Sequence, residues 1–293
     1  MLKWAWNRMG LDSNTVVPES LGATRCGPAT LWWGRRTYVM GIVNLSPDSF
    51  SGDGLAGRWE EALARAQRLE AEGADIIDVG GESTRPGATP ISAQEELERV
   101  LPFLERLMGR VQVPISIDTY KSEVAEAALK MGASMVNDVW GLKKDRRLAS
   151  LAARYGVPLV LTHNQEGTAY RDLVEEVMGD LRRSLEVALE DGVPRENIIL
   201  DPGLGFGKRG GQNLAILRRL EEFRALGRPI LVGTSRKFSA AKALGIPDGD
   251  RLGETAATVA LAIAHGADMV RVHDVGIMVR VARMADMIVR QGW

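Results

Sequence analysis

The chain has one cysteine, Cys26, among 293 residues. A single thiol excludes an intrachain disulfide framework and a cysteine-built zinc site, and it fits a reducing cytosol. An excess of one charge is also lacking: 37 Lys+Arg stand against 38 Asp+Glu, a formal net charge of -1. No overall electrostatic footprint for nucleic acid exists, although a local basic cluster can still hold a small anion. No apolar run approaches the ~18 residues of a membrane span. The opening stretch, MLKWAWNRMGLDSNTVV, has no apolar core long enough for a signal peptide. These absences set the expectation of a cytoplasmic protein without nucleic-acid or membrane partners.

What is present is ordinary globular material, 45% hydrophobic and 26% charged, enough for a large core. Residues 1–23 carry no clear period and read as a tail or N-terminal extension. From about Thr37 short β-rich runs alternate with longer helix-like stretches, the signature of parallel βα units. The predicted strands are Tyr38–Val43, Asp75–Val79, Ile115–Asp118, Ser134–Asn137, Pro158–Thr162, Ile198–Asp201, Ile230–Val232 and Met269–Val272. They are nearly continuous in apolar residues, as strands buried on both faces are. Between them lie amphipathic stretches such as Trp59–Glu72, Ala93–Met108, Glu123–Met131 and Leu173–Asp191. In the first of these Ala62, Leu63, Ala66 and Leu69 recur at helical spacing.

Eight such units predict an α/β fold, a (β/α)8 TIM barrel, as one domain over residues 24–293. A doubly wound open sheet is the rival, but no G-x-G-x-x-G turn follows Tyr38–Val43.

Active sites of such barrels lie where strands end and βα loops begin. The strand ends here are rich in polar residues, and the strand beginnings are not. The first strand leads to Asn44 and a loop containing Asp53; the second leads to Glu82-Ser-Thr84-Arg85-Pro86. Asp118, Asn137 and His163 end the third, fourth and fifth. The sixth gives Asp201-Pro-Gly-Leu-Gly-Phe206-Gly-Lys208, the seventh Ser235-Arg236-Lys237, and the eighth Arg271-Val-His273.

Bland readings stand beside these. Asp118 is open to two roles, a site carboxylate or the cap of a helix starting near Lys121. Asp201-Pro is also a simple turn former. His163 reads as a satisfied structural histidine rather than a catalyst. Trp32, Trp33, Trp59 and Trp140 read as packing. Arg271 and His273 alternate on one strand, share a face, and are expected to point into the mouth.

The set sorts into two chemical groups. Asp118, Asn137, Asp201 and Lys237 mix acceptors and donors, and a carboxylate matches the paired N–H edge of a guanidine-like heterocycle. Asn44, Arg85, Arg271 and His273, with Gly-rich loops around them, suit phosphate oxygens. Together they point to a planar heterocycle that carries an anionic group.

Seven motifs stand in order, each after a predicted strand: M-G-I-V-N-L-S-P-D-S-F-S, D-V-G-G-E-S-T-R-P-G, S-I-D-T-Y-K, V-N-D-V, D-P-G-L-G-F-G-K, G-T-S-R-K and R-V-H-D-V. From about Arg36 to Val275 the chain resembles the dihydropteroate synthase family. The resemblance implies condensation of 6-hydroxymethyl-7,8-dihydropterin diphosphate with p-aminobenzoate, giving 7,8-dihydropteroate and diphosphate. It implies Mg²⁺ as cofactor with Asn44 as its protein ligand. It assigns the pterin pocket to Asp118, Asn137, Asp201, Lys237 and Phe206, and the diphosphate to Asn44, Arg271 and His273. It makes Lys237, Asp118, Arg271 and His273 the expected catalytic set. Thr84, Arg85 and Pro86 would frame the p-aminobenzoate site, and a homodimer is the family's usual assembly.

Two positions depart from the family pattern. The first loop reads Ser51-Gly52-Asp53-Gly54 where S-D-G-G is common, so its carboxylate is carried to Asp53. Phe238 follows Lys237 where the family has Ser, with Ser239 after it. Phe238 is expected to narrow the p-aminobenzoate pocket, or Ser239 to supply the displaced hydroxyl. The rival readings are a catalytically silent pterin-binding paralogue and a corrinoid-dependent methyltetrahydrofolate methyltransferase. The second would need neither the E-S-T-R-P loop nor the S-R-K and R-V-H motifs.

Overall fold

The computed structural model describes residues 21–46, 58–84, 88–235, 237 and 251–290. Ten strands occur among them. A hairpin comes first, β1 (Ala23–Cys26) and β2 (Ala29–Trp32). Eight parallel strands follow: β3 (Tyr38–Asn44), β4 (Ile76–Gly80), β5 (Ile115–Asp118), β6 (Met135–Asp138), β7 (Leu159–Thr162), β8 (Ile198–Asp201), β9 (Leu231–Val232) and β10 (Met269–Val272). Their spatial order is β8-β7-β6-β5-β4-β3-β10-β9. A parallel bridge between Leu200 and Ile230, with Leu200 N donating to Pro229 O at 2.9 Å, joins the two ends of the sheet. The barrel is thereby closed and leaves no strand edge to cover.

The helices are α1 (Trp59–Ala71), α2 (Ala93–Leu107), α3 (Ser122–Lys130), α4 (Arg147–Tyr155), α5 (Leu173–Glu190), α6 (Gly210–Arg218), α7 (Leu252–Ala264) and α8 (Val275–Val289). The apolar stripe read in α1 is the buried one: Ala62, Leu63, Ala66 and Leu69. Ser92 caps α2 by accepting from Glu95 N, and Asp172 caps α5 by accepting from Val174 N and Glu175 N. Each cap of this kind is worth ~1 kcal/mol.

Period-two alternation divides the strands between two cores. Val39, Ile77, Ile117, Val136, Leu161, Leu200 and Val270 face outward and join the helix-packed core. Met40, Ile76, Met135, Val160, Ile199, Leu231 and Met269 point inward and form a separate buried layer. The β1–β2 hairpin plugs that layer from below with Cys26, Leu31 and Trp33. Trp33 meets Tyr38 edge-on at 5.4 Å and donates Nε1–H to Thr24 Oγ1 at 2.8 Å.

Trp33 is therefore packing, as expected, while Trp32 is 48% exposed. Burial pushes the Cys26 thiol up to about 12, which makes it unreactive. The hairpin has no counterpart in the sequence reading, where the pattern began at Thr37. The same alternation fixes the site. Two residues beyond Ile76, Met135, Ile199 and Met269, on the same inward face, stand Asp78, Asn137, Asp201 and Arg271. Asp118 lies beside Asn137 and Gly80 in register.

Candidate active site

The inward polar layer opens at the strand ends into a cavity of about 260 Å³. Asn44, Thr84, Asp118, Phe206, Lys237, Arg271 and His273 line it. The predicted residues from β3, β5 and β10 and from the loops after β4, β8 and β9 thus converge on one mouth. Asn137 and Asp201 are buried beside it at 2% and 6% exposure. Asp53, Arg85, Pro86, Phe238 and Ser239 lie outside the described residues.

Arg271 organises the floor. Its Nε donates to Asp78 Oδ2 at 2.6 Å and its Nη2 to Asp118 Oδ2 at 2.6 Å. Asn137 Nδ2 donates to the same Asp78 oxygen at 3.1 Å. One guanidinium between two buried carboxylates keeps its proton, and its pKa is raised by Asp78 and Asp118 against the burial that lowers it. Asp118 is pushed up to about 7, first by burial and then by the nearby Asp78 and Glu96; Arg271 and Lys237 pull the other way. Asp118 Oδ1 is buried without a hydrogen-bond partner among the described residues. A buried acceptor left unpaired costs about 1–3 kcal/mol, so a ligand N–H at that oxygen gains what the free protein forgoes.

Asp118 does not cap α3. Residue Lys121 stands at that N-cap without a side-chain bond, and Asp145 Oδ2 accepts from Ser122 N at 3.0 Å. Asp201 serves both of its readings. Its Oδ1 accepts from Gly203 N at 2.7 Å in a turn, and its charge faces Lys237. Burial pulls Lys237 down to about 8, with Arg271 adding to the fall and Asp201 and Asp118 opposing it. Lys237 Nζ donates to Leu204 O at 2.6 Å and sits 4.5 Å from the centre of the Phe206 ring. His273 is steered by Ser235: its backbone N donates to Ser235 Oγ at 3.2 Å, and its Nδ1 lies 2.9 Å from the same oxygen.

Four residues near this mouth have contacts that the sequence did not assign: Asp78, within a strand, and Glu82, Lys208 and Ser235, which stand in the strand-end motifs without a role there. Asp78 offered a signal, a carboxylate in mid-strand between Ile77 and Val79. Such a charge is tolerated in a barrel strand only when it points inward to a partner. Glu82 accepts from Tyr120 Oη at 2.9 Å and pairs with Lys121. His163 is buried at 2% exposure and bonded within the protein, which is the structural role read for it.

Among the described residues no group of three His, Cys, Asp or Glu could hold a metal ion. Asn44 lines the cavity wall, and its amide is a neutral oxygen donor of the kind a hard cation takes beside waters and phosphate oxygens. That suits Mg²⁺, which keeps waters and takes most of its ligands from phosphate, and does not suit a fully caged ion.

The chain belongs to the pterin-binding enzyme family, whose model matches residues 40–273. Its relatives within that family include dihydropteroate synthases. That of Bacillus subtilis is 48% identical over 90% of this chain and 93% of its own length. That of Clostridium beijerinckii is 48% identical over 88% of this chain and 96% of its own. Among solved structures, dihydropteroate synthase from Clostridium difficile in the presence of pteroic acid superposes with a TM-score of 0.83 at 49% identity, over 88% of this chain and 99% of that one. The Xanthomonas albilineans enzyme with 4-aminobenzoic acid gives 0.84 at 40% identity, over 91% and 97%. The function is that of dihydropteroate synthase, a transferase of folate biosynthesis. The corrinoid methyltransferase and the silent paralogue are set aside. No helix among the described residues is long and apolar enough to cross a membrane.

Proposed function

We propose that this mouth performs the dihydropteroate synthase reaction with the following division of labour. Asp118 accepts the guanidine-like N–H edge of the pterin. Asn137, Asp201, Lys237 and Phe206 complete that pocket. Arg271, His273 and Asn44 take the diphosphate. The observation that carries the reading is the convergence of Asp118, Lys237, Arg271 and His273 on one cavity of about 260 Å³.

The reaction breaks the C–O bond between the pterin methylene and diphosphate. Both bonding electrons leave with oxygen, and Arg271 and His273 neutralise the growing negative charge. The positive charge left on the methylene is conjugated into a pterin held against carboxylates, which tolerate a cation. The p-aminobenzoate amine then forms the C–N bond and sheds a proton. No covalent enzyme intermediate is required, and the buried Cys26 lies in the hairpin below the barrel. Mg²⁺, held by Asn44 together with diphosphate oxygens and water, would supply further charge neutralisation for the leaving group. Asp53, Thr84, Arg85, Pro86, Phe238 and Ser239 are proposed to frame p-aminobenzoate, with Phe238 narrowing that subsite. Diphosphate release that depends on p-aminobenzoate, with Lys237→Ala as control, tests this reading.

The proposed setting is the cytosol, where a lone free thiol such as Cys26 persists. The proposed assembly is a homodimer through α7 and α8. Leu261 on α7 and Ile277, Met284 and Ile288 on α8 are 52%, 43%, 58% and 67% exposed, and the α8 set recurs at helical spacing. Sedimentation should give twice the chain mass, and Met284→Glu with Ile288→Glu should give the monomer. A wild-type monomer at micromolar concentration would remove the dimer.

A further inference from the structure

We infer that Lys208 and His163 form a buried clamp that sets the β8 turn and so positions Phe206 and Lys237; Lys208 is a positioning residue, not a catalytic one. The inference rests on the proposed reading in one respect, that Phe206 and Lys237 face the substrate.

The turn after β8 has few bonds of its own. Gly203, Gly205 and Gly207 all have positive φ, +70°, +86° and +57°; within the turn Phe206 N donates to Gly203 O at 3.1 Å and Gly203 N to Asp201 Oδ1 at 2.7 Å. Glycine in such a run leaves the free chain many conformations. Side chains supply the remaining holds. Asn213 Oδ1 accepts from Gly205 N at 2.8 Å, and Tyr170 Oη donates to Gly207 O at 2.8 Å.

Lys208 does the most. Its Nζ donates to Gly203 O at 3.0 Å and to Phe206 O at 3.0 Å, and it meets His163 Nδ1 at 2.8 Å. An ammonium has three N–H donors, and all three are engaged. No donor remains for a phosphate or carboxylate of the substrate, which separates Lys208 from Lys237 and Arg271.

His163 completes the arrangement as the acceptor. Burial, followed by the charges of Lys208 and Lys143, lowers it to about 2. The ring is therefore neutral, with Nδ1 accepting and the proton on Nε2. That proton faces Asp180 Oδ2 at 3.3 Å, without hydrogen-bond alignment. Burial pulls Lys208 down to about 7, while three acceptors within 3.0 Å hold its charged form. From this anchor the effect reaches the mouth directly. Phe206 O is bonded to Lys208, the Phe206 ring lies 4.5 Å from Lys237 Nζ, and Lys237 is bonded to Leu204 O, the carbonyl that follows Gly203 O in the same turn.

The test compares Lys208→Met, His163→Leu and His163→Asn with wild type. Asn places an amide oxygen near the position of Nδ1 and keeps an acceptor for Lys208. Lys208→Met and His163→Leu should raise KM for the substrates by about tenfold or more and leave kcat within about threefold, the pattern of lost ground-state positioning. His163→Asn should restore KM to within about threefold of wild type. Nitrogen-15 NMR should show His163 as the Nε2–H tautomer in wild type, with its pKa raised in Lys208→Met.

Unchanged KM in Lys208→Met, or His163→Asn as impaired as His163→Leu, would overturn the clamp. If Lys208→Met fails to fold, the two His163 variants decide. If wild type releases no diphosphate, the reading of the site fails, and the His163 tautomer and its response to Lys208 still judge the clamp.

Discussion

Arg271 Nη2 donates to Asp118 Oδ2 at 2.6 Å across 153 residues of sequence. The cation assigned to the diphosphate is thus seated on the carboxylate assigned to the pterin. A ligand that claimed both oxygens of Asp118 would displace this contact and free Nη2 for a phosphate, which would couple the two halves of the substrate through one ion pair. Asp78 Oδ2 accepts from Nε at 2.6 Å, an anchor for the guanidinium that is independent of Asp118.

Asp78→Asn tests that anchor. Asp78 is fully buried, and one of its oxygens serves both Arg271 and Asn137. Breaking a buried ion pair from one side costs about 3–5 kcal/mol. Urea unfolding should show a loss near the lower end of that range, because Arg271 retains Asp118. Binding of dihydropterin diphosphate should weaken with it. Unchanged stability would show that Asp78 is not holding Arg271.

The pH dependence follows from two shifted groups. Lys237 is depressed to about 8 from an ordinary 10.5. Below 8 it is charged in both folded and unfolded chains, and its burial penalty is full. Between these values the unfolded chain binds more protons, so the contribution to stability rises with pH. Activity runs the opposite way, because the charged lysine is lost above about 8. Asp118, raised to about 7, takes up a proton below that value and loses acceptor strength. The kcat/KM profile should therefore be bell-shaped, and Lys237→Arg should move its alkaline limb upward. A profile without limbs would contradict both assignments.

Gly203→Ala should abolish folding or nearly so. A Cβ there would lie 1.9 Å from His163 O, on a backbone with φ +70°. Backbone cannot yield as a side-chain tip can. Gly210→Ala, at the start of α6 with nothing within 4 Å of its Cβ, is the control; it should be neutral or stabilising by up to ~1 kcal/mol. Thermal unfolding of the pair should separate them widely, and equal midpoints would contradict the close approach.

The barrel was legible because its strands carry one message. Runs such as Leu159–Thr162 and Ile198–Asp201 are apolar on both faces and end on a polar residue. The strand-end rule then found Asn44, Asp118, Asn137, Asp201, Arg271 and His273 together. Asp78 was missed because it sits within a strand, where that rule does not look. Lys208 stands in a strand-end motif but shows no role in the sequence, because that role depends on a side chain folding back over its own turn to reach His163, 45 residues away. The hairpin at residues 23–32 does not register because its strands, ATRC and ATLW, are not continuous apolar runs and belong to no βα unit. Its task, plugging the barrel floor, exists only once the barrel is closed.

The central claim is that this mouth joins a pterin to an arylamine, and diphosphate release measures it most directly. With dihydropterin diphosphate, Mg²⁺ and p-aminobenzoate together, the wild-type protein should release diphosphate and form an equal amount of dihydropteroate. Lys237→Ala should reduce that rate by at least about 100-fold, the scale of losing a charged group that acts on the reacting ligand. Absence of p-aminobenzoate-dependent product from folded wild-type protein, or full activity in Lys237→Ala, would contradict the account.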